Sequence, residues 1–450
     1  MNVASAVDRR SRFGLLLALI FVAALTWRVI FVLIWGLDPL PFGDGLQYHF
    51  AGTNLANGGG FSNSVLVYFG GVVQPSAQHP PMYAITLAYV TRSGRALGLG
   101  SFDSTTVHQI ASAVFSSVGV VVIGLLGRRV AGARVGIVAA LFAAAYPALW
   151  IPDAVVMSES LVVLTTAMFL LAVVAYIDKP GAARAVAFGV GAGVAMLTRS
   201  EVTFLLLVIA AGTIAMRHVV GRGIRARHMV LTIAVAAVVV SPWVVRNLTT
   251  FDRPVFLSEN VDSVIGGANC ASTYAAGRRL GTWDASCNTR NLPHGDESVL
   301  GAELRHRGVQ YALHHLNRVP VVAAARVGRL LSVYRPLDND LGGPRWALWM
   351  NVATYYALLV AAVFGALRLR ANRRPLWLFV AVLGTTVAVA AVTYGSSRFR
   401  IDWDIALVVL AAAAFTRWTN AKANGTVCIQ APPRVLFRHS SAGRKTSTSR

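Results

Sequence analysis

The sequence predicts an all-α polytopic membrane protein with about ten transmembrane helices, and three observations carry that reading. Of its 450 residues, 55% are hydrophobic and only 13% charged, where a soluble domain carries about 25% charge. Its mean hydropathy is +0.58. Apolar runs long enough to cross about 30 Å of hydrocarbon recur along most of the chain, and the basic residues collect in the short segments between them.

The runs fall at 13–36, 105–126, 134–150, 158–177, 184–198, 202–216, 229–246, 345–367, 376–394 and 403–419. Residues 1–12, with Arg9, Arg10 and Arg12, form a cytoplasmic N-terminus. The first run is too long for a signal h-region and lacks a small-residue cleavage site, so no cleavable signal is expected. Helices 1–7 occupy 13–246 and include a first outer loop, 37–104. In that loop Leu46, Phe50, Ala51 and Leu55 share one face of a helix that Asn57-Gly58 should stop.

Further along, "PMYAITLAYVTRSGRALG" reads as a helix over 82–98 lying on the outer surface. Counted as a span, it would put the basic clusters from Arg128 to Arg227 outside. The short run 184–198 pairs with 202–216 as a hairpin, and "WIPDAVVMSES" at 150–160 is an outer turn. A large extracytoplasmic loop covers 247–344. It contains two amphipathic helices, broken at Pro320, expected on the outer headgroups. Helices 8–10 fill 345–419. Residues 420–450 hold six Lys and Arg and no acid, the composition of a basic disordered cytoplasmic tail.

A net charge of +22 raises the question of nucleic acid, but its placement argues against that partner. Arg128, Arg129 and Arg134; Lys179 and Arg184; Arg217, Arg222, Arg225 and Arg227; Arg368, Arg370, Arg373 and Arg374 all fall on one side. With a cytoplasmic N-terminus this is the positive-inside pattern of a multi-pass plasma (inner) membrane protein, with the lipid bilayer as its partner. Of 19 acids, only Asp8 and Asp178 fall inside. Acids barely influence topology, so their outer placement points to chemistry on the extracytoplasmic face.

Several outer residues are candidates for that chemistry. Asp44 starts the first-loop helix, where a carboxylate can serve as N-cap and, held in place, as a general base. Glu159 sits at the mouth of a span, costly there unless it faces a partner or a polar cavity. Asp153 follows Pro152 and is either a turn residue or a ligand for acceptor or metal. His79, before two prolines, is fixed in an extended geometry. Arg199 and Glu201 can pair across the hairpin turn. Arg246, Arg398 and Arg400 end outer helices, where snorkelling is the default and phosphate binding the alternative. Cys270 and Cys287, in the large loop, suit a disulfide contributing roughly 3 kcal/mol, while Cys428 in the tail should stay reduced. No phosphate loop, His-Glu-x-x-His or Gly-x-Ser-x-Gly signature is present.

The stretches "FGDGLQYHFAGTNLANGGGF", "QHPPMYAITLA", "MSESLVVL", "SPWVVRNLTTFDRPVFLS", "GGANC" and "YGSSRFRID" occur in an order that resembles the GT-C superfamily of membrane glycosyltransferases. The resemblance is to the bacterial branch related to protein O-mannosyltransferases and lipid A aminoarabinose transferases. It implies sugar transfer with inversion, on the outer face, from a polyprenyl-phosphate-linked donor to an envelope acceptor: protein, glycolipid or polysaccharide. Asp44 matches the first-loop catalytic aspartate. Glu159 stands where a second-loop acid is often Asp, and His79 where relatives carry a Lys that meets donor phosphate. Arg246, Arg398 and Arg400 would then bind that phosphate. Glu159 would orient the acceptor or hold a divalent cation, the one cofactor the resemblance leaves open. The leaving polyprenyl phosphate is already a stable anion, so one base suffices, unlike glycoside hydrolysis. Asp44 is thus expected to be essential and Glu159 important but replaceable.

A transporter or flippase of polyprenyl-linked saccharides would share the ten spans. It predicts broken helices and ionisable groups near the middle of the membrane, whereas the charges here gather at one face.

Overall fold

The computed structural model describes residues 3–36, 43–98, 104–217, 223–289, 292–338, 343–372 and 374–415. The tail from 416 onward, with Cys428, and Arg222 and Arg373 lie outside the described residues, as do the side chains before Ser11. The bundle helices are α1 (Val3–Trp35), α5 (Thr105–Ala131), α6 (Ala133–Ala145), α7 (Glu159–Asp178), α8 (Ala182–Thr198), α9 (Val202–Ala215), α10 (Ala226–Thr250), α15 (Arg345–Ala371), α16 (Trp377–Val392) and α17 (Ile401–Ala414). Each contains most of one predicted apolar run. Five of them are long and apolar enough to cross a membrane alone. A bent pair makes a sixth candidate, and α8, α9 and α16 are apolar but shorter.

Buried along its whole length, from Ile401 to Ala413, α17 is the axis of the bundle. Close approach there depends on small residues, as in membrane interiors generally. A Cβ at Gly365 of α15 would lie 1.8 Å from the Leu410 carbonyl oxygen of α17. The last turn of α5 carries Arg128 and Arg129, and Gly132 at φ 96° ends it.

The third predicted run needs correction. Its helix stops at Ala145, and the chain turns by 78° into short 3-10 segments at Pro147–Leu149 and Ile151–Val155. Pro147 and Pro152 cannot extend an α-helix from its interior. Val156 follows with φ 51° and no exposure, a strained conformation for a β-branched residue. This kinked turn delivers Glu159 to the first position of α7.

The first loop contains α2 (Asp44–Ala56), α3 (Ser64–Gly70) and α4 (Met82–Ala96). Asn57 and Gly58, the latter at φ 84°, end α2 as expected. On α4, Tyr83 and Leu87 are wholly buried, and α4 packs on α2. The large loop contains α11 (Asn260–Ala268), α12 (Ala271–Tyr274), α13 (Glu297–His314) and α14 (Val319–Leu330). Pro320 lies in the first turn of α14, where a missing N–H costs nothing. The expected display of basic residues to headgroups fails in α14. Arg326 and Arg329 are 4% and 5% exposed and donate inward, Arg326 to the Ala268 and Ala391 carbonyls and Arg329 to that of Leu280. Those bonds satisfy loop carbonyls and tie α14 to the end of α16. Cys270 and Cys287 form the expected disulfide.

Candidate active site

Asp44, Glu159 and Arg398 come from three distant parts of the chain and meet at one end of the bundle. Asp44 is the first residue of α2, one position inside the helix. Gly43 occupies the N-cap, without a side-chain cap, so the capping role considered for Asp44 is not the one it plays. Its carboxylate turns away from the helix end and accepts from Arg398 Nη2 at 2.5 Å. Arg398 sits on the 3-10 turn Ser397–Arg400, started by the Ser396 hydroxyl accepting from the Arg398 N–H. Its Nε donates to Glu159 Oε1 at 2.9 Å. One guanidinium therefore bridges two carboxylates.

Around this bridge the polar groups are unevenly satisfied. Arg199, at the α8–α9 turn, pairs with Glu201 as the sequence suggested. It also reaches Glu159, with Nη1 3.9 Å from Oε1. That Nη1 is buried and, among the described residues, has no hydrogen-bond partner, an expensive state for a charged donor. The Phe399 ring lies 5.0 Å from the Arg199 guanidinium and 5.4 Å from that of Arg398. His79 stands on the far side of Asp44, its Nε2 2.9 Å from Gln47 Oε1 and 3.9 Å from Asp44 Oδ1. Tyr48 packs on it with ring centroids 4.5 Å apart.

These neighbours set the protonation states. Burial pushes the Asp44 carboxyl up, but the charge of Arg398, then that of His79, and the Arg398 hydrogen bond outweigh it and hold the group at about 2. Burial, against the opposing charge of Asp44, lowers His79 below its ordinary value. His79 is therefore a neutral hydrogen-bonding group near pH 7.

All of these residues line one cleft of about 860 Å³ that also touches the large loop. Three sequence candidates do not line it. Asp153 is fully buried, 3.4 Å from Arg28 of α1, and accepts from the Ser116 hydroxyl at 2.8 Å. It is a partner for a buried arginine, not an acceptor or metal ligand. Arg400 is also fully buried and donates to Asp404, Tyr146, Ser332 and the Leu330 carbonyl. Two residues beyond Arg398, it points into the core. Arg246 donates to the Ser76 and Phe61 carbonyls at 2.9 and 2.7 Å, stapling the end of α10 to the first loop. Conversely, Arg199 belongs to the site and sequence reasoning passed over it. Its signal was an arginine at a helix mouth, read there as satisfied by Glu201 alone.

The donor set does not suit a divalent cation. Among the described residues no group of three His, Cys, Asp or Glu could hold one, and the Arg398 guanidinium already lies between the two carboxylates.

Residues 78–245 match the profile of the dolichyl-phosphate-mannose-protein mannosyltransferase family. The matched stretch includes His79, Glu159 and Arg199 and stops short of Asp44 and Arg398. Over 90% of its length the chain superposes on the oligosaccharyltransferase AglB from Archaeoglobus fulgidus, in complex with an inhibitory peptide and a dolichol-phosphate, with TM-score 0.50 and 13% identity. The chain shares the fold of that structure. It spans about half the length of AglB, covering 50% of that chain. A second structure, ArnT from Cupriavidus metallidurans bound to undecaprenyl phosphate, aligns over 88% of this chain and 77% of its own, at TM-score 0.40 and 18% identity. A search of curated protein sequences finds no match.

Proposed function

We propose that this protein is an integral membrane glycosyltransferase that moves a sugar from a polyprenyl-phosphate donor to an acceptor hydroxyl, with inversion, on the extracytoplasmic face of the plasma membrane. The observation that carries this reading is the Asp44–Arg398–Glu159 bridge beside the unsatisfied Arg199 Nη1. A buried arginine nitrogen without a hydrogen-bond partner, next to a second arginine in a cleft, is a place for an anion such as phosphate. The solved relatives supply its chemistry by analogy, since AglB holds a dolichol-phosphate.

The steps follow from the charges. In the empty site Asp44, held at about 2, is ionised but engaged and a poor base. A donor phosphate competes for the Arg398 fork, and Arg199 supplies a second donor. Once Arg398 turns to phosphate, burial, the largest influence on Asp44, raises its affinity for a proton. Asp44 then accepts the proton of the acceptor hydroxyl as that oxygen bonds to the anomeric carbon from the face opposite the phosphate. The bond from anomeric carbon to phosphate oxygen breaks, and polyprenyl phosphate leaves as an anion stabilised by both arginines. Glu159 keeps Arg398 and Arg199 aligned, and neutral His79 hydrogen-bonds at the donor side.

Transfer of radiolabel from polyprenyl-phosphate sugars by the purified protein in lipid tests this, with the product anomer read by NMR. An inverted linkage to an envelope acceptor is expected. Movement of intact lipid-linked saccharide across vesicles, without transfer, would instead identify a transporter.

A further inference from the structure

The cleft does not end at the charged bridge. It runs on to α11 and to the segment between the disulfide cysteines, where Glu259, Asp262, Trp283 and Arg305 line it. Trp283 is 37% exposed, although its ring is firmly seated. A Cβ on Gly267 would lie 2.2 Å from its Nε1 and 2.6 and 2.8 Å from the two carbons bonded to that nitrogen. An approach along the N–H bond would leave those carbons much farther away, so the helix backbone covers one face of the indole. Its opposite face is left for the cleft. The Nε1 proton goes to the Ser263 carbonyl at 3.2 Å, and the Asp284 N–H to that of Gly267 at 3.0 Å. The Cys270–Cys287 bridge closes the segment.

The polar groups at this end differ from those around Asp44. Arg305 Nη1 donates to both oxygens of Asp262, at 2.8 and 2.7 Å, so that pair carries no net charge. Burial first, then the charges of Glu297 and Asp262, push the Glu259 carboxyl up to about 9 against the pull of Arg305, leaving it uncharged at neutral pH. A seated aromatic face bordered by hydrogen-bonding groups with no net charge matches the apolar C–H face and equatorial hydroxyls of a sugar ring. It does not suit an anionic acceptor, since Arg305 is already neutralised. An extended peptide finds no sheet edge, because the described residues contain no strand beyond the isolated Ser62–Pro75 bridge.

We infer that this end of the cleft is the acceptor site and that the acceptor is a neutral saccharide stacked on the free face of Trp283, with Asp262 and Glu259 hydrogen-bonding its hydroxyls. The inference rests on the glycosyltransferase reading and adds the acceptor class to it.

Saturation-transfer NMR on the full chain in nanodiscs tests it, with α-linked tetrasaccharides of mannose, arabinose and galactose and a Ser/Thr decapeptide as probes. At least one tetrasaccharide should bind wild type and Asp44→Asn alike. Trp283→Ala should weaken that binding roughly tenfold and Trp283→Phe much less. Gly267→Ala, which displaces the indole, should behave like Trp283→Ala. Polyprenyl-phosphate binding, measured on the same samples, should be unchanged in all three variants and reports their folding. Saccharide binding that ignores Trp283, or binding of the peptide alone, would overturn the inference. The two readings separate cleanly: Asp44-dependent transfer with an unaltered acceptor KM in Trp283→Ala sinks the saccharide platform and leaves the glycosyltransferase standing.

Discussion

Arg398 and Arg400 are two residues apart on one turn, and each meets carboxylate, yet their surroundings differ in every respect that matters. Arg400 is sealed between α17, Tyr146 and the end of α14, with each nitrogen donating and the Tyr355 ring 3.7 Å from its guanidinium. Arg398 borders a cleft, is shared by two acids from other elements, and neighbours an arginine with an unused donor. Arg28–Asp153 repeats the sealed pattern in the kinked turn. Incomplete partners are not the distinction, because Asp153 Oδ1 and Asp404 Oδ2 in the sealed pairs also lack a hydrogen-bond partner among the described residues. The difference teaches that a charge at a helix mouth becomes chemically available where a cavity adjoins it. A closed pair of the same residue types instead holds helices together.

Substitutions sharpen that contrast. The largest effect belongs to Asp44→Asn, which should lower transfer by about 10²–10⁴-fold, the usual weight of a general base, in protein that still folds. Arg400→Ala should act through folding, costing about 3–5 kcal/mol by leaving a buried carboxylate alone. Urea or thermal unfolding in detergent would show it, while activity per folded molecule stays near wild type. The double change Arg400→Met/Asp404→Leu should recover most of that loss; if it does not, the pair does more than pack helices. Glu159→Gln should fall between these, reducing kcat by about 10–100-fold through weakened charge-assisted hydrogen bonds to Arg398 and Arg199.

The smallest effect is one of shape. Asp44 sits at about 2, below the ordinary carboxylate range. Its contribution to stability is therefore present above that range and lost as pH falls toward 2. The kcat/KM profile of the wild type should show no acid limb from this group between pH 5 and 8, the range around neutrality where the assay runs. In Arg398→Gln the largest lowering influence is gone and burial meets only the weaker pull of His79 and Arg199, so the carboxyl rises and an acid limb should appear on top of a lower rate. A profile of unchanged shape would mean that Arg398 does not control Asp44.

Much of the bundle was legible because hydrophobic run length is a one-dimensional signal. Each of the ten runs contains a helix, but Ala182–Thr198 packs mainly on Ala226–Thr250 and Glu159–Asp178, not on Val202–Ala215 as the hairpin reading expected. Asp44 and Glu159 stood out because a carboxylate at a helix mouth is costly and needs a reason. Azimuth was not legible. Sequence position placed Arg398 and Arg400 at the same depth, and only the 3-10 turn aims one at the cleft and the other at the core. The same gap hid Arg28, which turns Asp153 from a candidate ligand into a buried partner, and the Ser76 and Phe61 carbonyls that claim Arg246. Where one proline fell inside a run, Pro147, and another just beyond it, Pro152, the helix boundary also fell short of the hydrophobic boundary.

The most direct test of the central claim is a parallel transfer assay of wild type and Asp44→Asn in lipid, with radiolabelled polyprenyl-phosphate sugars and an envelope extract. Transfer by the wild type that disappears in the folded variant is the expected result, and it would make Asp44 the base. Equal transfer by both proteins would contradict that role and leave the Asp44–Arg398 pair a structural contact like Arg400–Asp404.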